Sequence, residues 1–235
     1  LCVRLDNMGD VLMTTPAIRA IRAAKPSRHV TLLGSSSGVR VAAHVPEIDA
    51  TIGYEAPWVK NARTHESGTD ADRALVDVLA AHRFDAAVIF SAYSQSPIAP
   101  ALVCRMAGIP LRLAHCRENP YLLLTDWLPE TEPAQQLRHE VDRQLDLVAG
   151  FAPRPADLRL SFRVVQADRT TLVTKLREAG VDPAAARIVV HPGASAPSRR
   201  WPAAHFAQAL RELAQRQHRC IVLTGDAGEC ALADG

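Results

Sequence analysis

The 235-residue sequence predicts an α/β fold with parallel sheets, arranged in two successive units. Short apolar or β-branched runs alternate with helical patterns from end to end, which is the order expected of strand–helix units. The alternation stops at the segment APRPADLRLSF, residues 152–162, and then starts again. Because two prolines interrupt the helical pattern there, we interpret this segment as a linker or an interdomain crossing. The predicted boundary lies near residue 164.

The predicted strands of the first unit are short and rich in apolar or β-branched residues. They are LCVRL, HVTLLG, ATIGY, FDAAVIF and LRLAH, and the first sheet is expected to end with the last of them. The helical segments between them are one that ends at Ala24, then GVRVAAHV, ADRALVDVLAAHR and IAPALVCRMAG. This order favours a parallel sheet flanked by helices.

The segment QQLRHEVDRQLDLVAGF is predicted to be one long amphipathic helix that packs on the first sheet. Its apolar residues share one helical face and its charged residues lie on the other. The apolar positions are Leu137, Val141, Leu145 and Val148. The second unit then begins with the helix ADRTTLVTKLREAG, the strand RIVVHPG, the helix AAHFAQALRELAQRQ and the strand RCIVLTG.

The composition predicts a globular protein with a core. Hydrophobic residues make up 48% of the chain, and 27 basic against 25 acidic residues give a net charge of +2, so nothing favours a nucleic-acid partner. The five cysteines are spread along the chain without a Cys-x-x-Cys pair, which fits a reducing compartment. No apolar run reaches the roughly 20 residues of a spanning helix. We expect a cytoplasmic protein, and peripheral association with the inner face of the cytoplasmic membrane is an open alternative.

The segment RLDNMGDVLMTTPAIRAIRAA contains the first candidate site residue. Asp10 follows a strand and stands near the start of a helix, where a carboxylate often only caps backbone N–H groups. Alternatively, Asp10 faces a cleft at the carboxyl end of a parallel strand, where open α/β sheets bind ligands. The helix start is also open, because Thr15 and Pro16 would suit an N-cap and a first helical residue.

The segment RIVVHPGASAPSRRWPAAHFAQALREL contains the second candidate site. A strand leads into a turn of small residues at Gly193, and Arg199 and Arg200 precede the next helix. Small residues let backbone N–H groups approach an anion, and arginines beside a helix start stabilise phosphate. The alternative is an ordinary strand–helix loop with solvated arginines, since such turns are common.

Together these two segments resemble the signatures of the family 9 glycosyltransferases, the ADP-heptose:lipopolysaccharide heptosyltransferases and their relatives. HEVDRQLDLVAGF and IVLTGDAGE add to the resemblance. It implies a GT-B fold, in which two Rossmann-like domains with parallel sheets face each other across a cleft. Residues 1–164 would form the acceptor-side domain and residues 165–235 the start of the nucleotide-sugar domain. Family members continue into an aspartate-containing loop that helps to hold the nucleotide, so the second domain is interpreted as incomplete and the chain as a fragment.

The resemblance also implies roles for individual residues. Asp10 matches the general base of an inverting sugar transfer from a nucleotide diphosphate, with ADP-heptose as the expected donor and a cell-envelope glycan or glycolipid, such as lipopolysaccharide core, as the acceptor. Such a reaction needs a base for the acceptor hydroxyl and stabilisation of the leaving diphosphate. Arginines can supply the latter, so we expect no metal and no cofactor. The implied donor-binding residues are Gly193, Ala194, Ser195, Arg199, Arg200, Gly225 and Glu229, and the implied acceptor-binding residues are Gly9, Lys60 and Arg63.

Several alternatives compete with this interpretation. GSSSG fits the Gly-x-Ser-x-Gly pattern of a serine hydrolase with Ser36 as nucleophile, although small turn residues produce this pattern easily. The same fold could also be a sugar-nucleotide-binding or glycan-binding paralogue without turnover. Lys60 and Arg63 could be solvated surface charges. The Asp-x-Asp within TDAD is better explained by capping of a helix near Thr69 than by a metal site.

Overall fold

The computed structural model describes residues 1–59, 69–194, 197–217, 220–225 and 227–229. The chain forms two compact units, Leu1–Val164 and Val165–Gly235. Each unit is built from parallel strands and helices, so the predicted α/β class is confirmed.

The first unit contains a six-stranded parallel sheet with the strand order β3-β2-β1-β4-β5-β6. The prediction that this sheet ends at LRLAH is wrong, because a sixth strand pairs beside it. The sequence DWLP lacks the apolar alternation that marks a strand, since all its residues are exposed at the sheet edge, where proline is tolerated. The strands are β1 (Cys2–Arg4), β2 (Thr31–Gly34), β3 (Ala50–Gly53), β4 (Ala86–Ile89), β5 (Leu111–Cys116) and β6 (Asp126–Pro129).

Helices cover both faces of this sheet, and each face has its own core. Side chains alternate between the faces along each strand, so Leu32 of β2 joins one apolar cluster and Leu33 the other. The first cluster packs against α1 and α5, and the second against α3 and α4. The helices of this unit are α1 (Met8–Ala24), α2 (Ser36–Ala42), α3 (Thr69–His82), α4 (Ile98–Met106) and α5 (Glu140–Val148).

Helix α1 begins at Met8, so Thr15 and Pro16 lie inside it rather than at its start. A proline inside a helix leaves the carbonyl four residues earlier without its N–H donor. Here that carbonyl belongs to Leu12, and the Thr15 hydroxyl donates to it at 2.7 Å. The threonine therefore replaces the hydrogen bond that the proline removes, and Gly9 and Asp10 occupy the first turn.

Helix α5 is shorter than its sequence pattern predicts. It starts at Glu140, and the His139 side chain caps it by accepting a hydrogen bond from the Val141 N–H at 3.3 Å. The Arg138 N–H instead donates to the Glu132 carboxylate, which keeps the preceding backbone out of the helix. Val141 and its apolar partners are buried as predicted, but Leu137 lies outside the helix and is 61% exposed.

The proline-containing segment before residue 164 packs on the first unit. Arg19 of α1 donates to the Asp157 and Arg159 carbonyls at 2.7 and 2.9 Å. The Ser161 N–H donates to the Thr15 hydroxyl at 2.9 Å. This segment therefore lies along α1 and is held there by hydrogen bonds.

The second unit contains a parallel pair of strands in register from Arg187↔Cys220 to Val190↔Leu223. Gly180 ends the first helix of the unit with a φ of +70°, a conformation that glycine adopts without steric cost. The elements are α6 (Gln166–Glu178), β7 (Arg187–Val190), α7 (Ala203–Gln217) and β8 (Cys220–Leu223). Within the described ranges of the chain, none of the helices has the length and apolar character needed to cross a membrane.

Candidate active site

The strand order of the first sheet reverses direction between β1 and β4. In open α/β sheets, the loops that follow the strands at such a point separate and leave a crevice for ligands. Here Gln95, from the loop after β4, donates to Asp6, from the loop after β1, at 2.5 Å. A pocket of about 590 Å³ opens beside this contact, and Trp58, Ser94 and Ser96 are among its lining residues.

Asp10 lies at this end of the sheet, in the first turn of α1. One carboxylate oxygen accepts the Asn7 N–H at 3.2 Å, so Asp10 does cap its helix. The other oxygen accepts a hydrogen bond from Arg4 at 3.2 Å. The side chain is nevertheless 38% exposed. The capping role and the position at the carboxyl end of a strand are therefore compatible.

Arg4 is a residue of this site that sequence reasoning missed. Its side chain is fully buried at the end of β1, with Nε 2.9 Å from Asp6 Oδ2 and Nη1 3.0 Å from Glu140 Oε1. A buried charge is costly unless it is paired, which explains why three carboxylates surround one guanidinium. The sequence signal was available, because Arg4 is the one charged residue in the predicted strand LCVRL.

A larger buried network continues from α5 into the loop after β6. Gln144 donates to Glu140 at 2.7 Å and to the Ser91 carbonyl at 3.1 Å. Arg143 forms ion pairs with Glu130 and Glu132. The helical pattern placed the charged Arg143 on the face opposite the apolar residues, yet Arg143 is buried, as is Gln144. They are paired in the interior instead.

The electrostatics of the network favour a charged Glu132 and a neutral His115. Burial acts to raise the pKa of Glu132, but hydrogen bonds from Arg138 and Arg143 outweigh it, and the pKa lies below its ordinary value. Burial, followed by the charge of Arg143, lowers the pKa of His115. His115 Nε2 contacts the Arg143 carbonyl at 3.2 Å. These groups hold α5 in place against β5.

The other predicted residues of the first unit are less informative. Gly9 is exposed, and a Cβ added there would meet nothing within 4 Å. Lys60 and Arg63 lie outside the described residues. Ser36 begins α2, and its N–H donates to Glu55 at 2.7 Å. Within the described part of the chain, no hydrogen bond joins the Ser36 hydroxyl to a histidine, so the structure gives a serine hydrolase no catalytic pair.

In the second unit, the turn after β7 and the turn after β8 converge. Glu229 packs against Gly193 so closely that a Cβ on Gly193 would overlap its carboxylate, and a Cβ on Gly225 would lie 3.0 Å from Glu229 Oε2. His191 Nε2 lies 3.9 Å from the same oxygen. His191 Nδ1 contacts the Thr224 carbonyl at 2.9 Å. Three of the predicted donor-binding residues are thus brought together: Gly193, Gly225 and Glu229.

The two arginines predicted to bind the donor, Arg199 and Arg200, are both exposed. Arg199 ends a 3₁₀ turn at Pro197–Arg199, and Arg200 Nε donates to the Ala194 carbonyl at 2.8 Å. Ser195 lies outside the described residues. Arg200 is therefore tied to the loop that follows Gly193, and most of its guanidinium N–H groups face solvent.

Three solved structures that are similar to this chain are glycosyltransferases. E. coli ADP-heptose lipopolysaccharide heptosyltransferase II is 22% identical, with a TM-score of 0.74 over 99% of this chain and 66% of that one. A family 9 glycosyltransferase from Veillonella parvula is 17% identical, with a TM-score of 0.78 over 99% and 64%. E. coli heptosyltransferase WaaC with ADP-2-deoxy-2-fluoro heptose is 18% identical, with a TM-score of 0.68 over 100% and 72%.

The chain spans just under two thirds of the first two of these proteins. The likeness establishes the fold, and these heptosyltransferases are GT-B enzymes, as the sequence predicted. Comparison with curated protein sequences gives no match. The model of glycosyltransferase family 9 (heptosyltransferase) matches residues 73–234. Because that match covers more than half of the sequence, the chain belongs to glycosyltransferase family 9.

Proposed function

We propose that the protein transfers a heptose or a related sugar, with inversion, from ADP-heptose to a hydroxyl of a cell-envelope glycan such as lipopolysaccharide core. The observation that carries this proposal is Asp10, a carboxylate that is partly exposed at the carboxyl end of β1 and held from behind by buried Arg4. Family membership and the heptosyltransferase relatives support it. Transfer at the cytoplasmic face of the membrane would suit a glycolipid acceptor.

Asp10 is suited to act as the general base. The base of an inverting transfer must accept the proton of the acceptor hydroxyl as its oxygen attacks the sugar. The Asn7 N–H and Arg4 fix the orientation of the carboxylate, and its exposed fraction leaves room for a hydroxyl. Gly9 beside it lets an acceptor approach the backbone, and Lys60 and Arg63 would bind acidic groups of the acceptor.

The turns of the second unit are suited to hold the donor nucleotide. Gly193 and Gly225 leave space for the Glu229 carboxylate to lie against both turns, while Arg199 and Arg200 have exposed guanidinium groups for the diphosphate. Glu229 would repel phosphate but accept hydrogen bonds from ribose hydroxyls, as acidic residues do in Rossmann folds. Ala194 and Ser195 follow Gly193 in the sequence and would bind the donor with it. Charge neutralisation by arginine would make a metal unnecessary.

The first experiment replaces the proposed base in the full-length protein. Asp10→Asn should lower kcat at least about a hundredfold, the scale of general-base loss, while the affinity for the donor changes little. Transfer from ADP-heptose to glycolipid acceptors is followed by mass spectrometry, and donor affinity by calorimetry. Asp142→Asn is the matched control, because Asp142 forms an exposed ion pair on α5. Near-normal turnover of Asp10→Asn would show that Asp10 caps its helix and is not the general base.

The second experiment tests the diphosphate contacts. A charge-assisted contact is worth roughly 1.5–3 kcal/mol, so Arg199→Ala and Arg200→Ala should each weaken ADP binding about ten- to a hundredfold and adenosine binding much less. Arg211→Ala, on the exposed surface of α7, is the control. Calorimetry with ADP and adenosine measures the difference. If ADP and adenosine lose affinity equally, the two arginines do not bind the phosphates. If EDTA abolishes transfer by the wild-type protein, a metal is required.

A further inference from the structure

We infer that Glu140 is a positioning residue for Asp10 and acts through Arg4. The inference rests on the proposed role of Asp10 as general base. It concerns a carboxylate on another element, α5, that neither the sequence motifs nor the family match assigns to the site. Glu140 contacts Asp10 through one intermediate, the buried guanidinium of Arg4.

Two ion pairs hold the Arg4 guanidinium, one at Nε and one at Nη1. Gln95 donates to Asp6 at 2.5 Å, and Asp6 lies 2.9 Å from Arg4 Nε. Gln144 donates to Glu140 at 2.7 Å, and Glu140 lies 3.0 Å from Arg4 Nη1. Each carboxylate is thus fixed by a glutamine amide before it meets the arginine.

The third nitrogen of the guanidinium contacts Asp10. The planar group presents its donors in a rigid fork, so two fixed contacts determine where the remaining donor points. That donor is Nη2, whose contact with Asp10 Oδ1 at 3.2 Å has the geometry of a hydrogen bond. Glu140 therefore helps to set the direction from which the carboxylate of Asp10 is held.

Exposure separates the roles of the three carboxylates. The side chains of Asp6 and Glu140 are 11% and 23% exposed, against 38% for Asp10. Asp6 and Glu140 each also accept a glutamine N–H. Asp10 is accordingly the member of the cluster best placed to meet a substrate hydroxyl, and the other two support the arginine.

The charges of the cluster predict opposite effects for two substitutions. The described charged groups around Asp10 are Arg4 on β1, Asp6 after it and Glu140 on α5. Glu140→Gln keeps the shape but removes a negative charge, so Arg4 stabilises the Asp10 carboxylate more strongly. Arg4→Gln removes the cation and leaves the carboxylates to repel each other. The protonation of Asp10 should therefore move to lower pH in Glu140→Gln and to higher pH in Arg4→Gln, by roughly 0.5 pH unit or more.

The test uses the full-length protein and two independent readouts. The titration midpoint of the Asp10 carboxyl is followed by ¹³C NMR, with the signal assigned from its loss in Asp10→Asn. The kinetic readout is the pH dependence of kcat for transfer from ADP-heptose. Glu140→Gln should lower kcat about tenfold at unchanged KM, because a slightly misplaced base loses rate rather than binding. Its midpoint and the acidic limb of its pH profile should both move to lower pH.

Matched variants keep the inference open to refutation. Asp142→Asn makes the same chemical change at an exposed position of α5 and should leave both readouts as in the wild type. Arg4→Lys keeps the charge but not the fork, so kcat should fall while the midpoint moves less than in Arg4→Gln. Circular dichroism shows which variants fold. If Arg4→Gln does not fold, Glu140→Gln and its control are enough to test the inference.

The outcomes separate this inference from the proposed function. If Asp10→Asn is inactive but Glu140→Gln matches Asp142→Asn in kcat and midpoint, the positioning role is overturned and the base role stands. If Asp10→Asn keeps its turnover, the base role is overturned, and the positioning role with it. A downward shift of the midpoint together with a lower kcat in Glu140→Gln supports both.

Discussion

At the scale of single residues, the first unit buries charged and titratable groups and pairs them. Three charged side chains are no more than 2% exposed, and each has an oppositely charged partner: Arg4, Arg143 and Glu132. His115 differs, because its Nδ1 is buried and makes no hydrogen bond within the described part of the chain. Protonation would add a charged N–H there without an acceptor, beside the positive charges of Arg143 and Arg138. The folded protein therefore favours neutral His115.

This preference predicts a loss of stability in mild acid. Since the pKa of His115 is lowered in the folded state, the unfolded chain takes up the proton first as the pH falls through about 6.5. The free energy of unfolding is unaffected by this group above that pH and decreases below it, down to the folded pKa, with a slope of at most about 1.4 kcal/mol per pH unit. Urea unfolding between pH 7.5 and 5 measures the slope.

His115→Gln supplies the matched variant for this measurement. Its amide can still donate to the Arg143 carbonyl but does not titrate, so the pH dependence of unfolding should become flatter. His29→Gln, at an exposed position, should keep the wild-type slope. Parallel slopes for His115→Gln and the wild type would mean that another group causes the acid sensitivity.

Some site residues could be predicted from sequence and others could not. Asp10 and Gly193 are recognisable because they stand where a strand gives way to a turn or helix, and that position is written in the local pattern. The role of Glu140 depends on its ion pair with Arg4 of β1, more than a hundred residues away in sequence. No local pattern reports such a partner. Arg4 falls between these cases, because an arginine in an apolar strand shows that some partner exists without naming it.

At the scale of elements, local patterns predict type better than extent. Helix α7 spans Ala203–Gln217, as its segment predicted, because the helical periodicity of that segment is clear. Helix α5 starts later than predicted because the Arg138 N–H donates to the Glu132 carboxylate, which is a tertiary contact. Strand β6 forms because the exposed edge of β5 offers backbone partners, and its own residues carry little strand signal. The misses therefore arise where neighbours in space decide the conformation.

At the scale of the whole molecule, the two units differ in how much they bury. The first unit has an apolar cluster on each face of its six-stranded sheet. In the second unit, Leu176 is the buried apolar side chain among the described residues, while Val189 and Leu223 of the strand pair are exposed. A two-stranded sheet is marginally stable without a covered face. The units should therefore open with different free energies.

Hydrogen exchange on the 235-residue chain tests this difference. Amides of β1, β2 and β4 should exchange on the order of a thousandfold or more slowly than those of β7 and β8, because they open only when the double-sided core unfolds. Thiol labelling read by peptide mass spectrometry gives a second measure. Cys104 is buried in the first unit and burial raises its pKa to about 12, so it should react far more slowly than Cys220 of β8. If both sheets are equally protected and the two thiols react at equal rates, the two units open together. The larger core of the first unit would then not give it a higher free energy of opening.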